Sequence, residues 1–205
     1  MTERARGHPN TAFAVASMGE PLSFSDTMVT STPDLNPIKA FVFCGQGPQH
    51  EHMGVHMYTR FAAFRNSVNA SFEMVAKFHK KNFQDEYGLF NPELNGKVAK
   101  TDKGDWKVEC IVIAITIFQI ALFDLWVDLG VQPDVVLGHS VGEIAAMYAS
   151  GALTHEKAIR TAIARSNALS LLDTIDGQMA ALGMSRREAE QLIQRIMKEN
   201  GTDTG

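Results

Sequence analysis

Ser140 stands in Gly138-His139-Ser140-Val141-Gly142, between an apolar run, Val135-Val136-Leu137, and a helix-forming run from Glu143 to Ala149. The order is strand, tight turn, helix, with a serine at the apex. In that setting Gly-x-Ser-x-Gly has a mechanical meaning. The serine sits on a strained elbow that lifts its hydroxyl clear of the sheet, and the glycines let the flanking backbone pass close by. The first N–H groups of the new helix have no intrahelical acceptor, so they favour negative charge developing beside the serine. The chemistry predicted is nucleophilic catalysis. A lone serine hydroxyl is a weak nucleophile and needs a general base.

Two further groups could serve such a serine. Gly45-Gln46-Gly47 follows a short apolar run, and glycine there lets backbone approach a ligand. The backbone N–H groups of Gln46 and Val141 would together make an oxyanion hole. No Gly-Lys-Ser/Thr follows, so this is not a phosphate loop. Arg165 is a lone charge in the largely apolar Ala162-Ile163-Ala164-Arg165-Ser166-Asn167-Ala168-Leu169. A charge there needs a partner. It is either half of a structural ion pair or a fork that grips a substrate carboxylate at two points.

The base is harder to find among the seven histidines. His139 adjoins Ser140, but neighbouring side chains on a tight elbow diverge, so it reads as a residue that packs or hydrogen-bonds to hold the turn. His155 reads as a solvated residue in the first turn of a helix. His50, His52 and His56 cluster with Glu51 in a loop, without the further ligand spacing a metal site needs. The catalytic set therefore reads as incomplete, with no metal.

The elements that must position these residues follow from periodicity. Residues 1–37 are rich in Ser, Thr, Pro and Gly and read as a linker or disordered tail. Ile38 to Phe43 reads as a buried strand. Residues 57–80 place Tyr58, Phe61, Phe64, Val68, Phe72, Val75 and Phe78 near helical spacing. Residues 84–107 are polar and loop-like, with Leu89, Phe90 and Leu94 as anchors. Residues 109–129 read as a helix buried nearly all round; its apolar run, 110–123, falls short of the roughly 20 residues a bilayer needs. Val131 to Leu137 is the strand that feeds the elbow, followed by helices over 142–150 and about 154–172. Gln178 to Gly183 reads as a new strand, and Ser185-Arg186-Arg187-Glu188 opens a last helix with a capping-box pattern.

The 205 residues suffice for one sizeable core and part of a second unit. A net charge of −4 gives no nucleic-acid footprint, and two cysteines make no disulfide framework. Cys44 and Cys110 each read as a small buried residue in a reducing, cytoplasmic compartment.

Taken together, several motifs resemble the acyl-CoA:acyl-carrier-protein acyltransferases, the malonyl transacylases, most closely the acyltransferase domains of fungal-type reducing type I polyketide synthases. They are Phe41 to His50, Met53-Gly54, Ala121 to Trp126, Leu129 to Ala146, and Tyr148-Ala149-Ser150-Gly151-Ala152-Leu153. The resemblance covers about residues 38–197. It implies an α/β fold: an α/β-hydrolase-like large subdomain over 38–176, and the start of a ferredoxin-like small subdomain over 177–205. It implies ping-pong transfer of malonyl or a related acyl group from coenzyme A, through a serine acyl-enzyme, to the phosphopantetheine thiol of an acyl carrier protein. The implied partners are the acyl-CoA donor, the carrier protein and neighbouring synthase domains, without nucleic acid, membrane or bound cofactor; the coenzyme A thioester is substrate. Ser140 would be the nucleophile, Gln46 and Val141 the oxyanion donors, and Arg165 and His139 the substrate-binding residues.

The sequence departs from the family pattern in three places. Cys44 replaces a proline before Gly-Gln-Gly. The usual glutamine-proline pair early in the buried helix falls on Val112-Ile113, which predicts the loss of one active-site hydrogen bond. The family's catalytic histidine lies well downstream of the serine and is not in this chain, which reads as the first half of such a domain. The rival expectations are a serine hydrolase (an esterase or thioesterase) and an inactive piece that serves only as a synthase interface.

Overall fold

Phe41 and Phe43 point to one side of a short strand, and what they meet organises the molecule. The computed structural model describes residues 10–11, 29–30, 38–79, 88–90, 106–171 and 182–201. Its elements are β1 (Asn10–Thr11), β2 (Val29–Thr30), β3 (Ala40–Phe43), α1 (Val55–Arg60), α2 (Ala62–His79), α3 (Val108–Asp128), β4 (Val135–Gly138), α4 (Gly142–Ala149), α5 (His155–Ser170) and α6 (Arg186–Glu199). β3 and β4 pair in parallel with Phe43 opposite Gly138, so the Gly-Gln-Gly loop and the serine elbow leave the sheet side by side. Lys39 fixes the other end: its backbone N–H and Nζ both donate to Asp134 Oδ2, at 2.8 and 3.1 Å.

Side chains alternate across a strand. Phe41 meets the Phe123 and Trp126 rings edge-on, and Phe43 meets Phe123, so this face of the sheet lies on α3. The opposite face, carrying Val42 and Leu137, is 66% and 55% exposed at those residues. Cys44 continues that open row and is exposed, against the expectation of a buried thiol, whereas Cys110 is buried.

α3 runs through the centre of the core, against α2, α4 and α5. Its residues from Cys110 to Ile117 are all buried. The helix has 21 residues, more than the apolar run suggests, and by length and composition alone it could cross a membrane. Here its apolar surface is spent on its neighbours. Its Phe118 interlocks with Phe64 and Phe90, and Leu89 and Phe90 act as the expected anchors. Leu94 lies outside the described residues.

The helix expected over 57–80 is two helices. Phe61 is extended (φ −114°, ψ 116°) and separates α1 from α2. Arg65 makes the break tolerable, since its Nη1 donates to the Tyr58 and Thr59 carbonyls that α1 leaves without partners. The apolar period runs across the one-residue break, so the pattern alone does not reveal it. His56, expected in a loop, lies on α1.

At the chain's ends, β1 and β2 pair antiparallel within the segment read as a tail. Of the strand expected over 178–183, only Leu182 and Gly183 are described, and neither is in a strand. α6 follows with the expected capping box complete: Ser185 accepts from the Glu188 N–H, and the Glu188 carboxylate accepts from the Ser185 N–H. The Ser185 hydroxyl above all, and its backbone N–H after it, donate to that carboxylate and hold the Glu188 carboxyl below its usual range.

Candidate active site

The elbow is built as the sequence predicts. Ser140 has φ 53°, one of two positive non-glycine values among the described residues, the other being Phe90. An L-residue resists that conformation, so it persists only where its surroundings fix it. They do so here through several backbone bonds. His139 N–H donates to Phe43 O at 3.0 Å, Gly142 N–H to His139 O at 2.9 Å, and Glu143 N–H to Ser140 O at 3.2 Å.

Glycine is needed at three points around the turn. A Cβ on Gly138 would lie 2.5 Å from Glu143 Cα. One on Gly142 would overlap the Phe43 carbonyl oxygen, and one on Gly45 would lie 3.1 Å from Ser140 Cβ. The last contact brings the Gly-Gln-Gly loop against Ser140, with Gln46 next in the chain and exposed. Val141 is buried as the N-cap of α4, where a backbone N–H has no intrahelical acceptor.

Arg165 comes from α5, and its Nη2 donates to Ser140 Oγ at 3.1 Å. Among the described residues no carboxylate pairs with Arg165. His139 is exposed, and its ring lies against Gly45, its Nδ1 2.9 Å from where a Cβ there would stand. It flanks the loop.

Two histidines are committed elsewhere. His79 Nε2 is 3.0 Å from Glu109 Oε1, tying the end of α2 to the start of α3. His155 Nε2 is 2.7 Å from Ser71 Oγ, which corrects the reading of His155 as a solvated residue. Burial first of all holds the His155 pKa below its usual value, with the nearby Asp124 opposing. Ser71, His155 and Asp124 have the residue types of a catalytic triad. Ser71 is fully buried, however, so no substrate reaches it. Its hydroxyl also donates to Ser67 O, so His155 must donate from Nε2 for both bonds to form.

The sequence reading assigned no role to Gln119. Its Nε2 donates to Cys44 O at 2.8 Å, which holds the strand end just before Gly45 from beneath. Val112 and Ile113, where the family carries its glutamine-proline pair, are buried in the core. A glutamine two turns further along the same helix thus supports the loop. The signal was a polar residue inside an apolar helix. An apolar cleft of about 410 Å³ opens beside it, lined by Phe41, Phe43, Cys44, Met53 and Phe118.

The site thus joins a strand–serine–helix elbow to an arginine that donates to the serine hydroxyl. The family described as "Acyl transferase domain" matches residues 40–200. The chain belongs to that family. It is 36% identical over 173 residues to the highly reducing polyketide synthase stpks1 of Strobilurus tenacellus, covering 84% of this chain and 6% of that protein. It is 37% identical over 189 residues to the highly reducing polyketide synthase curS1 of Aspergillus terreus, covering 90% of this chain and 7% of that one. The chain thus spans a small fraction of the curated relatives it matches. Among solved structures it resembles a loading acyltransferase from the avermectin modular polyketide synthase, with TM-score 0.53 and 31% identity over 65% of this chain and 39% of that one. The acyltransferase domain of ZmaA, at 21% identity and TM-score 0.62, shares the fold over 84% of this chain and 38% of its own.

Proposed function

We propose that this chain carries the nucleophile half of an acyltransferase site that loads malonyl, or a related carboxylated acyl group, from coenzyme A onto an acyl carrier protein in a fungal reducing polyketide synthase. Ser140 Oγ attacks the thioester carbonyl. The Oγ–carbon bond forms, the carbon–sulfur bond breaks, and the hydroxyl proton passes through a base to the coenzyme A sulfur. The phosphopantetheine thiol of the carrier protein then takes the acyl group by the reverse exchange. Gln46 and Val141 offer backbone N–H groups to the oxyanion, Arg165 binds the free carboxylate, and His139 borders the acyl group.

The observation that carries this reading is the 3.1 Å contact between Arg165 Nη2 and Ser140 Oγ. It puts a fork for carboxylates within reach of the nucleophile, which a plain esterase does not need. His79 and His155 are committed to other partners and no other histidine among the described residues is placed as a base for Ser140, so we assign the base to the family's downstream histidine, which this chain does not supply. We divide the chain as the resemblance suggests, with an α/β-hydrolase-like large subdomain over 38–176 and ferredoxin-like structure beginning at 177. The setting is cytoplasmic, among neighbouring synthase domains.

Intact-mass analysis after mixing with malonyl-CoA tests the reading. One malonyl group should appear on Ser140, be absent from Ser140→Ala, and move to a carrier-protein thiol. Release of the group only to water would favour a hydrolase instead.

A further inference from the structure

The Arg165–Ser140 hydrogen bond has a direction. The guanidinium can only donate, so Ser140 Oγ accepts, and one of its two lone pairs is engaged. Oγ is also the atom that must give a lone pair to an acyl carbon. A nucleophile whose lone pair is held by a cation is blunted. Arg165 is only half-buried, with no carboxylate partner among the described residues. It rests on a neutral hydroxyl, a weaker acceptor than the carboxylate its planar fork suits.

We propose that Arg165 is a latch on the nucleophile as well as a clamp on the substrate. In the empty site it holds Ser140 Oγ. An acyl donor with a free carboxylate draws the guanidinium into a two-point contact and so frees the hydroxyl to attack. This rests on the carboxylate-clamp reading above and adds a coupling to it.

The exchange runs downhill, because the fork makes two hydrogen bonds to an ionised carboxylate, with opposite charges on the two partners, in place of one to a neutral hydroxyl. Selection then acts twice on the same substrate. The carboxylate improves binding, and it also releases the atom that reacts. A neutral acyl-CoA offers the guanidinium nothing and meets a hydroxyl that is still held. The geometry suits the exchange. The malonyl carboxylate is separated from the carbonyl carbon under attack by a single methylene, so it arrives beside a guanidinium already 3.1 Å from Oγ.

A neutral fluorophosphonate reads the latch without any acyl substrate. It labels the serine as the oxygen–phosphorus bond forms and fluoride leaves with the hydroxyl proton. Labelling of the purified protein would be followed by intact mass at neutral pH, with and without malonate at matched ionic strength. Arg165→Ala should label about tenfold faster than the unaltered protein, the order expected for losing one charge-assisted hydrogen bond. Malonate should accelerate labelling of the unaltered protein and leave Arg165→Ala unchanged. Slower or equal labelling of Arg165→Ala overturns the latch, as does malonate that slows or fails to change the unaltered protein. The malonate arm decides the question even where Arg165→Ala does not fold. The clamp is tested separately, with malonyl-CoA against acetyl-CoA. If malonate slows labelling while Arg165→Ala still loses its preference for malonyl-CoA, the clamp stands and the latch is gone.

Discussion

Arg165 and Gly142 make opposite kinds of contribution, and each can be tested by one substitution. If Arg165 binds the substrate carboxylate, Arg165→Ala should lose transfer from malonyl-CoA far more than from acetyl-CoA. Hydrogen bonds to a charged group are worth about 1.5–3 kcal/mol each, which sets the size of the gap. Arg165→Lys should recover only part of it, lacking the planar fork. Equal losses with both donors would remove the clamp from the mechanism. Gly142→Ala would gain about 1 kcal/mol of helix propensity. Its Cβ, however, would overlap the Phe43 carbonyl oxygen and come within 2.6 Å of Cys44 O. Backbone cannot move aside as a side chain can, so overpacking, about 1–3 kcal/mol, outweighs the gain. Urea unfolding should show a net loss of stability. Ser140, Val141 and the glycines were legible in the sequence because an elbow is local, its residues adjacent in the chain. Gln119 was not, because its contact with Cys44 spans 75 positions: a polar residue inside an apolar helix marks the position but not its partner.

Among the helices, the polar cluster between α2, α3, α4 and α5 holds more than the sequence showed. Asp124 accepts from Ser67 Oγ at 2.5 Å and from Tyr148 OH at 2.8 Å, and Ser71 pairs with His155. Burial and Asp124 push the Tyr148 hydroxyl far above its usual range, so it stays neutral throughout. His155 is different. Its pKa is depressed from 6.5 in the fold, mainly by burial, so below that pH the unfolded chain binds more protons than the folded one. Its contribution to stability is whole above 6.5 and lost as pH falls through the depressed value. The melting temperature should therefore fall on acidification below about pH 6.5, with a shallower fall in His155→Gln. An unchanged slope in that variant would mean that other groups set the acid limit. The helices themselves were legible from apolar spacing to within a residue or two. The break at Phe61 was not, because Arg65 repairs it from the next helix and the apolar period survives.

For the molecule as a whole, the two sides of the sheet are unequal. Parallel strands are normally covered on both faces. Here β3 and β4 rest on α3 with one face, while the other presents Val42, Val135 and Leu137 to solvent. α6 likewise exposes Ile193 and Ile196. Apolar area of this kind favours association, and strand edges without partners template it. The 205-residue chain in isolation should sediment as a concentration-dependent mixture of oligomers. Val42→Lys with Leu137→Lys should shift it towards monomer. A monomer at all concentrations would show that the exposed row is no liability. Strand pairing was legible only in outline: the sequence offered two apolar runs, but the match of Phe43 to Gly138, like the Lys39–Asp134 contact, joins segments 95 positions apart in the chain.

The positive φ at Ser140 has a consequence for how this protein can change over time. Ser140→Ala and Ser140→Gly both discard the hydroxyl and its contact with Arg165, but only glycine relaxes the turn. The left-handed conformation costs an L-residue about 1–2 kcal/mol, against roughly 0.5–1 kcal/mol for glycine's extra freedom when unfolded. The glycine variant should outlast the alanine variant by about 0.5–1 kcal/mol in thermal or chemical unfolding, the reverse of the usual order. A lineage released from the need for activity would thus find a more durable protein one codon away, at the very position that defines its chemistry.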